Sequence, residues 1–259
     1  MTTWYIRRYV CDNGIEYKTK FPVREDLSKC SSSRKKSSAV HRAEKGATEA
    51  AHEFGRLLNC NFRVGQDFHI LLTYSDEGLE KIIKRAGSEE MEALILSADR
   101  EYDNFLRRVK RRADKQSLEV KAAAVISITD PKTGELVRIH HHLVVNAAAA
   151  LICSECWTVG ESKGRVLWSS FGPDLQELAD YMISQAARVG AGKRYTHTRN
   201  LVRAIATKAV KARNPVAELA VPRGCEKIWR SESKRGRAQH LRYYRPPAVP
   251  PGAEDEDAA

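Results

Sequence analysis

Apolar and polar positions alternate with a period of two through Phe68-His69-Ile70-Leu71-Leu72-Thr73-Tyr74. Phe68, Ile70, Leu72 and Tyr74 share one face, and His69, Leu71 and Thr73 the other, which predicts a strand over 67–74. Ser75-Asp76-Glu77-Gly78 has the composition of a turn after it. The period then lengthens. Met91, Leu94, Ile95, Ala98, Tyr102, Phe105 and Val109 recur at helical spacing, and a long helix is expected from Ser88, as N-cap, to about Lys115. Two further strands, 118–129 and 136–146, flank a loop of hairpin composition at Asp130–Glu135, and a short strand follows at 165–168. Leu175, Leu178, Ala179, Met182, Ile183 and Ala186 predict a helix over 173–188, with Pro173 in its first turn. Helices are also expected at 40–58 and 200–213, and a hairpin about Asn13-Gly14 within 1–25. The order of elements implies an α+β protein: an antiparallel β-sheet with flanking helices packed on one side.

Composition marks out the periphery. Residues 28–47 are rich in Ser, Lys and Arg and read as a basic loop entering a helix. After Pro222 the chain becomes basic and aromatic, and it ends in a Pro-rich run and the acidic Glu254-Asp255-Glu256-Asp257, expected to be without structure. Three regions follow: an N-terminal extension (1–59), a central domain (60–215), and a basic arm with an acidic tail (216–259). No apolar run approaches the ~20 residues of a membrane helix, and the N-terminus has no signal-peptide pattern, so a cytoplasmic protein with reduced cysteines is expected. The six cysteines form no zinc-binding pattern: Cys153 and Cys156 lack a second pair nearby. A net charge of +11 points to a polyanionic partner, nucleic acid before membrane.

Chemistry concentrates at Arg138-Ile139-His140-His141-His142-Leu143-Val144-Val145-Asn146. Strand parity puts Ile139, His141, Leu143 and Val145 on an apolar face, where His141 reads as a hydrogen-bonded core histidine. His140 and His142 project together on the other face beside Arg138. Two imidazoles at i and i+2 can chelate one metal ion without bending the backbone, and solvated histidines on an open sheet are the plainer alternative. On the helix at 173–188, Tyr181 lies off the apolar stripe with Gln185 and Arg188 on its side; it either packs at the stripe's edge or serves as a nucleophile aided by a metal-polarised phosphate. Lys193, Arg194, Tyr195, Arg199 and Asn200 follow Gly190-Ala191-Gly192 and offer phosphate contacts and a stacking ring. Arg138 is a further candidate contact to nucleic acid.

These segments, in this order, resemble the HUH endonucleases, in particular the rolling-circle replication initiators of small phages and plasmids. Phe68 to Tyr74 looks like the family's first motif, an apolar strand ending in Thr-Tyr. His140-His141-His142 with Leu143-Val144-Val145 is similar to its histidine–hydrophobic–histidine motif, with His141 in the middle place. Ala179-Asp180-Tyr181-Met182-Ile183 resembles the tyrosine motif. Gly192-Lys193-Arg194-Tyr195 and Thr198-Arg199-Asn200-Leu201 look like the Gly-Lys-Arg…Ser-Arg-Asn-Leu segment of phage-type initiators.

The resemblance implies an RRM/ferredoxin-like sheet with flanking helices. It implies Mg²⁺ or Mn²⁺ on His140 and His142, and attack by Tyr181 on single-stranded or origin DNA to form a 5′-phosphotyrosine. It also implies a host helicase and polymerase as partners. The family usually carries a lysine three or four residues after the tyrosine. Here Ser184 and Gln185 stand there, which leaves that role to Arg188 or Lys193. The family's third metal ligand is often a carboxylate; Asp130, Glu135 and Gln185 are the oxygen donors open to it. A related transposase or relaxase, or a nucleic-acid-binding module without chemistry, fits the same motifs.

Overall fold

The computed structural model describes residues 2–24, 39–129, 136–187, 194–231 and 238–247. In chain order the elements are β1 (Thr2–Val10), β2 (Ile15–Arg24), α1 (Ala39–Asn61), β3 (Phe68–Thr73), α2 (Asp76–Ala86), α3 (Met91–Asp114), β4 (Ala122–Thr129) and β5 (Leu136–Val145). They continue with α4 (Ala147–Cys156), β6 (Ser162–Val166), α5 (Gln176–Ser184), β7 (Thr196–His197), β8 (Ile205–Ala206), β9 (Val210–Lys211), β10 (Glu226–Arg230) and β11 (Gln239–Tyr244). The protein is α+β, with two antiparallel sheets and five helices among the described residues. The contacts divide it into two compact units, 37–203 and 1–36 with 204–259. Among the described residues no helix is long and apolar enough to cross a membrane.

In the larger unit the sheet order is β6-β3-β5-β4-β7. β4 is apolar on both faces, with Ala124 and Ile126 on one and Ala123 and Val125 on the other, so both must be covered. On one side Ile70, Leu72, Ala124, Ile126, Ile139, Leu143 and Val145 pack with Ile82 of α2, with Ile95, Tyr102, Phe105 and Val109 of α3, and with Ile152 of α4. On the other, Ala123, Val125 and Val144 pack with Phe54, Leu57 and Leu58 of α1 and with Ala179, Met182 and Ile183 of α5. The expectation of helices on one side is corrected accordingly.

Two helices appear where none was expected. At α2 the supposed turn is the helix start: the Ser75 hydroxyl accepts from the Gly78 amide, Asp76 and Glu77 sit in the first turn, and Lys84 and Arg85 in the last. Gly87, at φ 67°, closes the helix in the left-handed conformation. At α4 the Ala147 amide donates to the Asp67 carboxylate (2.9 Å), which also accepts from the Arg63 amide (2.7 Å). The start of α3 is also corrected. Its cap is Glu90, and the Ser88 hydroxyl instead accepts from the Glu90 amide.

The smaller unit is the sheet β10-β11-β2-β1-β8, with β9 also on β1. The hairpin expected at Asn13-Gly14 joins β1 to β2, and Gly14 takes φ 82°. The helix expected over 200–213 is not formed. β8 and β9 pair there with β1, consistent with the β-branched Ile205, Thr207 and Val210 preferring strand conformation. Part of the expected basic arm is likewise folded: β11 pairs along β2 from Gln239↔Lys20 to Tyr244↔Ile15. The acidic tail lies outside the described residues.

Candidate active site

β5 runs between β3 and β4, so its polar face is framed on both sides. His142 lies opposite Leu71 and Val125, and His140 opposite Thr73 and Ser127. The two rings meet, with Nε2 of His140 3.2 Å from Nε2 of His142. Two ligand nitrogens ~2.1 Å from one ion and at right angles to each other stand about 3.0 Å apart. The pair therefore fits two neighbouring positions around a divalent ion. Nδ1 of His140 is held by the Arg138 carbonyl at 2.9 Å.

A third imidazole adjoins them. His69 of β3 pairs with Val144, and its Nε2 lies 3.1 Å from Nδ1 of His142. The two rings are nearly parallel, at 7°, with centroids 5.3 Å apart. His142 thus turns opposite nitrogens toward its two neighbours, and the three rings form a row and do not surround one point. Accordingly, among the described residues no group of three His, Cys, Asp or Glu is arranged to hold a metal ion. The pair would need oxygen donors to complete a coordination shell.

His69 and His142 are both buried. Burial pushes the His142 pKa down to about 3, helped by His69 and His140 and opposed by a hydrogen bond to Gln185. Burial, and then Arg165, pushes His69 down to about 4. Both are neutral at pH 7, the state in which an imidazole binds a metal. His141 faces the other core. Its Nε2 lies 2.9 Å from the Tyr74 hydroxyl and its ring stacks on Tyr102 at 5.1 Å, as a core histidine should. Burial, then His140, lowers its pKa to about 3.

α5 brings the tyrosine to this face. The Tyr181 ring meets His142 edge-on, at 5.4 Å and 82°, and is 40% exposed. Gln185, just past the helix, is buried; its Nε2 donates to the Tyr181 carbonyl (3.2 Å) while its side chain hydrogen-bonds His142. Of the oxygen donors anticipated, Gln185 adjoins the pair; Asp130 and Glu135 lie outside the described residues. The chain leaving α5 is pinned to β4 by the Ala187 amide donating to the Ile126 carbonyl at 2.9 Å. The start of α5 is anchored to α1. The buried Asn59 donates to Asp174 (2.8 Å) and accepts from the Leu175 amide (2.9 Å).

The basic stretch lies elsewhere. Arg194, Tyr195, His197, Arg199 and Arg203 line a cavity of about 650 Å³ with Glu53 of α1, and the histidine pair is not part of its lining. Tyr195 packs on Phe54 at 4.6 Å, so only part of its ring is open. Asn200 is engaged structurally, donating to the Glu119 carboxylate (2.9 Å) and the Val120 carbonyl (3.1 Å). Arg138 is tied to the Asp76 carboxylate and to the Tyr74 carbonyl. Lys193 and Arg188 lie outside the described residues. His69 was not anticipated: parity alone put it beside Leu71 and Thr73, and only the register with β5 sets it against His142.

Comparison of the chain with protein-family models, curated proteins and solved structures finds no match.

Proposed function

We propose that this chain is a metal-dependent single-strand DNA endonuclease and strand transferase of the HUH kind, initiating rolling-circle replication. The observation that carries the reading is the meeting of Tyr181 with the His140–His142 pair, from elements far apart in sequence. The +11 charge supports a polyanionic substrate.

In this reading His140 and His142 hold Mg²⁺ or Mn²⁺, with Gln185, water or phosphate supplying oxygen. The ion's contribution when bound is Lewis-acid polarisation of the scissile phosphate. The Tyr181 oxygen attacks phosphorus and the bond to O3′ breaks. The phenolic proton passes to water, and the departing O3′ takes one up as a hydroxyl. The DNA 5′-phosphate remains on Tyr181, and attack by a 3′-hydroxyl reverses the step. Arg194, Arg199 and Arg203 contact the backbone phosphates.

The test incubates the protein with Mn²⁺ and a random-sequence single-stranded oligonucleotide pool, then resolves covalent adducts by denaturing electrophoresis. Wild type should give an adduct that Tyr181→Phe does not. Equal adduct from both would remove Tyr181 as the nucleophile. A second reading is a nucleic-acid-binding module without chemistry. It is favoured by Ser184 and Gln185 standing where the family carries a lysine, and it predicts DNA binding with neither adduct nor Mn²⁺ affinity.

A further inference from the structure

The row of rings constrains its own protons. The Arg138 carbonyl can only accept, so Nδ1 of His140 carries a proton, and in the neutral ring Nε2 keeps the lone pair. That lone pair faces Nε2 of His142. A neutral imidazole has one N–H and one lone pair, so two arrangements of the row remain. In the first, His69 Nε2–H donates to His142 Nδ1, and His142 Nε2–H donates to His140 Nε2. Every contact is then a hydrogen bond, and neither Nε2 of the pair is open to a cation. In the second, His142 Nδ1–H donates to His69 Nε2. The lone pairs of His140 and His142 are then both open, 3.2 Å apart, an arrangement that a cation bound by both nitrogens favours. The near-parallel His69 and His142 planes suit an in-plane hydrogen bond of either polarity.

We propose that His69 is the positioning residue of this pair, its tautomer deciding whether His142 presents a proton or a lone pair to a shared divalent ion. The inference rests on the metal reading above. Binding moves one proton from Nε2 to Nδ1 within His142 and one from Nε2 to Nδ1 within His69. No proton is gained or lost overall. A partner that both donates and accepts is therefore required at position 69. Glutamine can do both by turning its amide, and leucine can do neither. Orienting partners of ligating histidines typically change metal affinity by ~10–100-fold when removed.

The test uses full-length ¹⁵N-labelled protein and long-range ¹H–¹⁵N spectra of the imidazoles at pH 7.5, with and without Mg²⁺. Mn²⁺ affinity is measured separately by calorimetry. Without the ion, His69 and His142 should both show Nε2–H; with it, both should show Nδ1–H. His69→Leu should weaken Mn²⁺ binding by ~10-fold or more, while His69→Gln stays within about threefold of wild type. Ion binding that leaves the His69 tautomer unchanged would overturn the proposal and leave the metal reading standing. So would a folded His69→Leu with wild-type affinity. Wild type without Mn²⁺ affinity would overturn the metal reading and this inference with it. Should His69→Leu not fold, the wild-type spectra alone decide.

Discussion

Gly55 of α1 sets two effects against each other. A Cβ built there collides with Oε1 of Gln176, at the start of α5, and falls 2.5 Å from its Cδ. Replacing a helical glycine by alanine ordinarily stabilises by about 1 kcal/mol. Here the side chain that must give way is fully buried, and its Nε2 donates to the Ala51 carbonyl (3.0 Å) and the Asp180 carboxylate (2.8 Å). Leaving the buried Gln176 amide and the Ala51 carbonyl unsatisfied costs on the order of 2–4 kcal/mol together, which outweighs the propensity gain, while the exposed Asp180 finds water. Gly55→Ala should therefore destabilise by a net ~1–3 kcal/mol, lowering the midpoint of urea unfolding. Removing the obstruction should reverse the sign: in a Gln176→Ser background the same change should stabilise by ~0.5–1 kcal/mol. The cycle is read from four unfolding curves. A Gly55→Ala protein at least as stable as wild type, or one destabilised equally in both backgrounds, would refute the reasoning.

Acidification should weaken the fold. His69, His141 and His142 are held near 4, 3 and 3 against an ordinary 6.5. The unfolded chain therefore binds more protons, and their contribution is complete above pH 6.5 and lost as pH falls toward 3, on the order of 2 kcal/mol each at pH 5. Asp99, raised to about 6 by burial and then Asp103, acts in the opposite sense below pH 6, but is one group against three; equal urea midpoints at pH 7.5 and pH 5 would contradict the account. His141→Leu should cost ~1–2 kcal/mol by leaving the Tyr74 hydroxyl only its 3.5 Å bond to the Ala98 carbonyl, yet leave Mn²⁺ affinity intact, whereas His142→Ala should abolish that affinity; calorimetry separates the two. In the smaller unit, burial alone would raise the Glu16 pKa, but the Tyr243 hydroxyl (2.6 Å) and Arg245 (2.7 Å) hold it low. Glu16→Ala should cost ~1–3 kcal/mol in thermal unfolding, mostly from the buried Tyr243 hydroxyl, since Arg8 and Arg245 keep access to water.

Legibility in the sequence tracked how local each feature's cause is. The split of His141 from His140 and His142 follows from strand parity, which depends only on the strand's own residues, and Tyr181 was found by the same logic on its helix. The run Ala147–Ala150 has no amphipathic stripe, because α4 begins with small residues and is anchored by Asp67 from another part of the chain. The helix expected over 200–213 gives way because the edge of β1 takes Ile205–Ala206 and Val210–Lys211 as strands, a pairing with residues about 200 positions earlier. At α2 the signals were present and misweighted, since Ser75, Asp76 and Glu77 serve a turn and a helix cap equally well until Gly87 is counted as its end. His69 is the instructive omission. Its alternation with Leu71 and Thr73 was plain, but which face that alternation meets is decided by a register spanning 73 residues. A one-residue slip of β3 against β5 would send His69 into the apolar layer and leave His142 Nδ1 without that partner. The placement of the third imidazole is thus a property of sheet register, the same register that puts Ile70 and Leu72 in the core.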